Sequence, residues 1–215
     1  MPVSHSHSRP MKTLTALVLL ATAAPAFAQE VSAPDLRAEL LERFAAEQDV
    51  RQRLIARGAF HPDTLASPSP ETLALLVEMT QTDADNLAFV EALVGEHGWP
   101  RPSLIGVDGV DAAWFIVQHS NLEVQERMLP MVEAAYHAGE LEGQKYALLL
   151  DRVLAGRGEP QVYGSQPNVA ADGTFVIPET IDDAALDARR AEVGLPPIAE
   201  YMETLSEVYR PAAGE

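Results

Sequence analysis

The chain predicts a mainly α fold, a single-domain helical bundle with a small β-hairpin near residues 160–178, on three observations. Apolar residues recur at helical spacing from Leu36 to about Val193, with prolines at the starts of segments and glycines at their ends. Only the stretch from Gln161 to Ile177 has the texture of short extended runs, flanking an Asp172-Gly173 turn signal. No fixed-period repeat and no boundary between two cores is visible, and the length suits one domain.

The first 28 residues stand apart from this pattern. From Met11 to Ala28 the chain has one positive charge, Lys12, an apolar stretch from Leu14 to Ala24, and Ala26-Phe27-Ala28 before Gln29. That is the pattern of a secretory signal peptide with a small-residue cleavage site, and it is too short for a membrane anchor. Met11 is then the true start, and no metal role attaches to His5 or His7 in the preceding ten residues. Residues 29–215 form the globular domain, expected in the periplasm or secreted.

Charge and composition narrow the partners. The net charge is −17, and it falls to −19 when Arg9 and Lys12 leave with the leader. So acidic a product repels nucleic acid and anionic lipid, so neither nucleic acid nor a membrane is expected as a partner. There is no cysteine, which rules out disulfides, thiol chemistry and a lipoprotein anchor.

The elements follow in order. Ser32, Pro34 and Asp35 start a helix whose stripe runs through Leu36, Leu40, Phe44 and Leu54 to Gly58. His61 to Pro70 reads as a Pro/Ser-rich loop. Ser69, Pro70 and Glu71 start a second helix; the polar stretch Thr80–Asp85 interrupts its pattern, which resumes at Leu87 and stops at Gly98-Trp99-Pro100. Pro102–Gly109 reads as a loop. A buried helix then runs to about His119, and an amphipathic one runs from Leu122 to Gly139, where Pro130 is expected to kink or split it. A Leu-rich helix spans Glu142 to Ala155 and closes at Gly156 and Gly158. Asp182-Asp183 caps a helix ending at Gly194, and Pro196-Pro197 opens a last one to about Tyr209.

Polar residues embedded in apolar sequence mark the candidate site. Asp151 and Arg152 lie inside a helix that is apolar all round, where charges are costly unless paired or hydrogen-bonded. Adjacent on a helix, they diverge by about 100° and need separate partners. Gln118 and His119 end another apolar run, and Gln161, Tyr163 and Gln166 surround Gly164. His119 suits a general acid/base, Asp151 suits its orienting carboxylate, and Arg152 suits a bidentate anchor for a carboxylate or phosphate. Gln118, Gln161, Tyr163, Gln166 and Trp99 are the candidate ligand-binding residues. In the structural reading of the same residues, Arg152 ties loop carbonyls, Asp151 caps the 160–166 segment, and Trp99 plugs the core.

Several chemistries lack support. His97, His119 and His137 do not share a helix face, and neither HExxH nor CxxC spacing occurs, so no metal or other cofactor is expected. Asp83, Asp85 and Asn86 lack the glycine and terminal glutamate of a calcium loop. There is no phosphate-binding loop, dinucleotide fingerprint or nucleophile elbow.

His97-Gly98-Trp99-Pro100, Gln118-His119-Ser120, Gln125, Tyr146-Ala147, Asp151-Arg152, Gln161, Tyr163-Gly164-Ser165-Gln166, Asp187, Arg190 and Gly194-Leu195 occur in that order. The set, across about residues 83–201, resembles a bacterial domain family of unknown function with Gly-Trp-Pro, Gln-His, Asp-Arg and Tyr-Gly-Thr-Gln signatures. Ser165 stands where the family has threonine, and either supplies a hydroxyl. The resemblance implies that these residues belong together and implies no reaction.

The leading expectation is an exported domain whose polar residues converge on one pocket for a small polar ligand, bound or processed there. The rival is a non-enzymatic envelope or protein-interaction domain in which they form a buried structural network. An acidic chaperone-like or inhibitor domain with a basic partner is a third option.

Overall fold

A computed structural model describes residues 31–60, 62–169 and 174–208. The expected signal peptide and the Asp172-Gly173 turn lie outside the described residues. The chain forms one mainly α-helical domain. Its helices are α1 (Pro34–Ala56), α2 (Pro62–Ala66), α3 (Pro70–His97), α4 (Pro102–Gln118), α5 (Leu122–His137), α6 (Gly143–Arg157), α7 (Leu186–Glu192) and α8 (Ile198–Val208). A two-residue ribbon, β1 (Asn168–Val169) with β2 (Phe175–Val176), lies between α6 and α7.

Helix α1 packs against both α3 and α4, and α5 packs against α6. The main core joins these layers through Leu40, Val90, Ile105, Val117, Val132 and Leu149. A smaller core of Val50, Leu54, Ala59 and Leu75 closes the far end of α1 and α3. The termini follow the punctuation rules. Ser69 accepts a bond from the Thr72 amide at 3.2 Å, Asn121 accepts one from Val124 at 3.1 Å, and Gly158 ends α6 in the left-handed conformation.

Five local expectations are corrected. The Pro/Ser-rich loop contains α2, one short helix begun by Pro62. The polar stretch Thr80–Asp85 does not interrupt α3: within it Asp83 pairs with Arg51 of α1, and the adjoining Asn86 is buried and donates to the Arg43 carbonyl at 3.1 Å. Pro102–Gly109 is not a loop but the start of α4, broken only at Gly106 (φ 76, ψ 163). A side chain there would place its Cβ 2.7 Å from Asp108 Oδ1, inside the Arg37–Asp108 pair that fastens α1 to α4. Pro130 stays within a continuous α5, neither splitting nor ending it. Finally, Gln161–Gln166 is not a hairpin strand. Asn168 pairs with Val176 and Val169 with Phe175, while Gln161 forms a single parallel bridge to Thr180.

Candidate functional site

Two separate hydrogen-bonded networks hold most of the polar candidates, one joining α1, α3 and the end of α4, the other joining α6 to the loop that follows it. The first is built on α1. Glu47 is 1% exposed and its carboxylate bonds His119 Nδ1 at the C-terminal end of α4. Arg51, one turn on, lies 3.1 Å from the same Glu47 oxygen and makes a two-point contact with Asp83 of α3 at 2.9 and 3.0 Å. Thus imidazole, carboxylate, guanidinium and carboxylate follow one another from α4 through α1 to α3.

His119 is 29% exposed, and no other hydrogen bond reaches its ring among the described residues. Phe115 lies beside it, with ring centroids 6.2 Å apart, and Phe44 stacks on Phe115 at 5.2 Å. The histidine therefore has one nitrogen fixed by a buried carboxylate and the other free. Glu47 Oε2 and Gln48 Nε2 are buried without partners. Sequence reasoning missed Glu47 and Arg51. The carboxylate expected to orient His119 was Asp151, and Glu47 holds that place.

The second network is built on α6. Asp151 is wholly buried and accepts from three backbone amides of the following loop: Val162 at 2.8 Å, Tyr163 at 3.1 and 3.2 Å, and Ser165 at 2.8 Å. The loop amides turn inward to the carboxylate rather than sideways to a neighbouring strand, which is why 161–166 does not extend the ribbon. Gln161, also wholly buried, donates to the Gln166 carbonyl at 2.8 Å and accepts from the Gln166 amide at 2.9 Å. The Gln166 side chain returns to the Leu148 carbonyl at 3.3 Å. Gly164 adopts φ 62, and a Cβ there would approach Ile177 Cγ2 to 3.0 Å. Charge and amide side chains here shape a loop, each satisfying backbone that would otherwise be unpaired.

Among the described residues no hydrogen bond or ion pair joins His119 to Asp151, Arg152, Gln161, Tyr163 or Gln166. Trp99 belongs to neither network. It is buried in the main core just before α4, whereas His119 follows the other end of that helix. Gln118 is buried, and its carbonyl accepts from Gln125, whose amide also binds the Ser120 carbonyl and so closes the end of α4.

With this geometry in hand, comparison with known families identifies the chain. A family model described as a family of unknown function, DUF6624, matches residues 34–212. The chain belongs to that family. Neither a search of curated proteins nor one of solved structures returns a match. The DUF6624 match runs from the first residue of α1 past the end of α8, so it takes in Glu47 and Arg51 as well as the span of the sequence resemblance.

Within this DUF6624 domain, Arg190 is the other contributor that was not singled out as a site residue. It is wholly buried, donating to the Pro196 carbonyl and the Tyr163 carbonyl, each at 2.6 Å, with its guanidinium 5.0 Å from the Tyr201 ring centre. Tyr201 in turn donates to the Ser165 carbonyl at 3.0 Å. Burial pushes the Tyr163 phenol above its ordinary pKa. Two surface clefts, of about 360 and 570 Å³, lie on α1 and α3, and none of the sequence-predicted site residues lines either. Among the described residues no three His, Asp or Glu side chains are placed to hold a metal ion. No described helix is long and apolar enough to cross a membrane.

Proposed function

We propose that this protein is an exported domain that binds and processes a small polar ligand at His119, with Glu47 as the orienting carboxylate. One observation carries the reading: a fully buried glutamate grips one nitrogen of a histidine whose ring still reaches solvent. With Glu47 ionised, Nδ1 holds the proton and Nε2 presents a lone pair, the form needed to take a proton from a ligand and return it. Arg51, held in turn by Asp83, holds the glutamate carboxylate in place. Hydrolytic or lyase-type chemistry suits a compartment without ATP.

A defined panel of amino acids, sugars and short peptides, followed by proton NMR with the purified protein, tests this. The expected outcome is loss of at least one compound's signal with wild type and none with His119→Ala, at a melting midpoint lowered by no more than about 4 °C. No consumption by wild type, or global unfolding of His119→Ala, contradicts it. Export rests on the Met11–Ala28 leader. Protein recovered from the cell envelope or medium should begin at Gln29, and an intact leader on that protein would oppose the reading.

A structural role is favoured for the second network. Both oxygens of Asp151 are used by loop amides, so it works as a fastener, and Gln161 and Gln166 work with it.

A further inference from the structure

The smaller of the two surface clefts, of about 360 Å³, lies between α1 and α3 and is lined by acceptors from both helices. Glu39 and Glu42 come from successive turns of α1, and Thr82 and Asp85 from successive turns of α3. Arg43 also lines the cleft, but its charge is already answered. Its guanidinium donates to Glu39 at 3.1 and 2.7 Å and lies over the Phe89 ring, 4.5 Å from the ring centre. The carboxylates of Glu42 and Asp85 and the Thr82 hydroxyl have no hydrogen bond or ion pair with any described residue.

Exposed acids on so acidic a chain would by themselves mean little. The deciding residue is Asn86, which is 3% exposed and whose NH2 group donates to the Arg43 carbonyl at 3.1 Å. Only the nitrogen of an amide can donate to a carbonyl, so the orientation of this side chain is fixed and its oxygen is turned away from Arg43. That oxygen accepts from no described residue, yet it is not sealed inside the protein, and Asn86 forms part of the cleft wall. Buried side-chain amides are normally satisfied at both ends. One whose bare acceptor opens on an acidic cleft is arranged for a donor that arrives from outside.

We propose that this cleft binds the ammonium group of a small organic amine, with the Asn86 side-chain oxygen, the Thr82 hydroxyl and the Glu42 and Asp85 carboxylates as its acceptors. A primary ammonium is a compact charge that donates in three directions and accepts in none, which suits a site made of an amide oxygen, a hydroxyl and carboxylates. The volume of the cleft is that of a small-molecule site. Among the described residues no three His, Asp or Glu side chains are placed to hold a metal ion, so an organic cation fits better than a bare one. The net charge of −17 raises the concentration of cations at the surface and favours their capture. The site does not depend on the chemistry assigned to His119.

The test is calorimetric titration of the full chain with putrescine and with n-butylamine, both as hydrochlorides, at an ionic strength held constant with sodium chloride. Wild type should bind at least one of them saturably, and saturation by putrescine alone assigns a ligand with two ammonium groups. Glu42→Gln and Asp85→Asn, each at an exposed and unpaired position, should raise the Kd about tenfold, the size expected of one charge-assisted bond. Glu123→Gln removes an equally exposed charge from α5 and should leave the Kd within about twofold. In wild type the Asn86 side-chain NH2 resonances should shift along the same saturation curve, a readout that needs no variant. No saturable binding of either amine, an affinity unchanged in both acid variants, unmoved Asn86 resonances, or an equal response to magnesium chloride would overturn the proposal.

Discussion

Replacing Asp151 with asparagine lowers the melting midpoint by about 10 °C, the largest effect expected of any single polar substitution in this chain. The side chain is 0% exposed, and its two oxygens accept from three amides of the loop that follows α6. Asparagine keeps one acceptor oxygen and turns an NH2 group towards the other donors. At least one amide then loses its partner in a dry site, and a charge-assisted set becomes a neutral one. Each such loss costs about 1–3 kcal/mol, so a total of about 3–5 kcal/mol is expected. Hydrogen exchange localises the damage: the Val162, Tyr163 and Ser165 amides, protected in wild type, should exchange early in the variant. Unchanged protection at all three would mean that the carboxylate does not hold the loop.

Glu47→Gln is the second large effect, at about 1.5–3 kcal/mol, the range for hydrogen bonds to charged groups. The substitution is nearly isosteric, so little packing is lost. What disappears is the charge that receives both Arg51 and His119. Arg51 keeps Asp83, which limits the cost, whereas His119 keeps no fixed partner. The urea midpoint should fall with an unchanged slope, because the surface exposed on unfolding is the same.

Much of the architecture was readable because proline starts, glycine ends and helical spacing report local geometry. Some of the places where it was not readable trace to proline and glycine read as breaks, at Pro62, Pro102–Gly109 and Pro130; others have a second cause, polar residues treated as outward-facing. Thr80–Asp85 looked like a break because Asp83 and Asn86 are polar, yet α1 supplies their partners. In α1 itself, the stripe Leu40, Phe44, Leu54 has gaps at residues 47 and 51, where helical spacing demands core-facing side chains. Glu47 and Arg51 fill them, and that occupancy was the available signal. Leu186, Arg190 and Val193 repeat the device in and just beyond α7, with arginine at the middle of a buried stripe. Capping of the 160–166 segment by Asp151 was one of the sequence readings. The division of the polar residues into two networks was not legible, because it depends on which elements meet, α1 with the end of α4 in one case and α6 with its following loop in the other.

The decisive measurement is a pair of double-mutant cycles on unfolding free energy, one coupling His119→Ala with Glu47→Gln and the other coupling His119→Ala with Asp151→Asn. The first pair should depart from additivity by about 1–3 kcal/mol, while the second should add within about 0.5 kcal/mol. Strong coupling between His119 and Asp151, with none between His119 and Glu47, would contradict the two-network arrangement and restore a single shared centre.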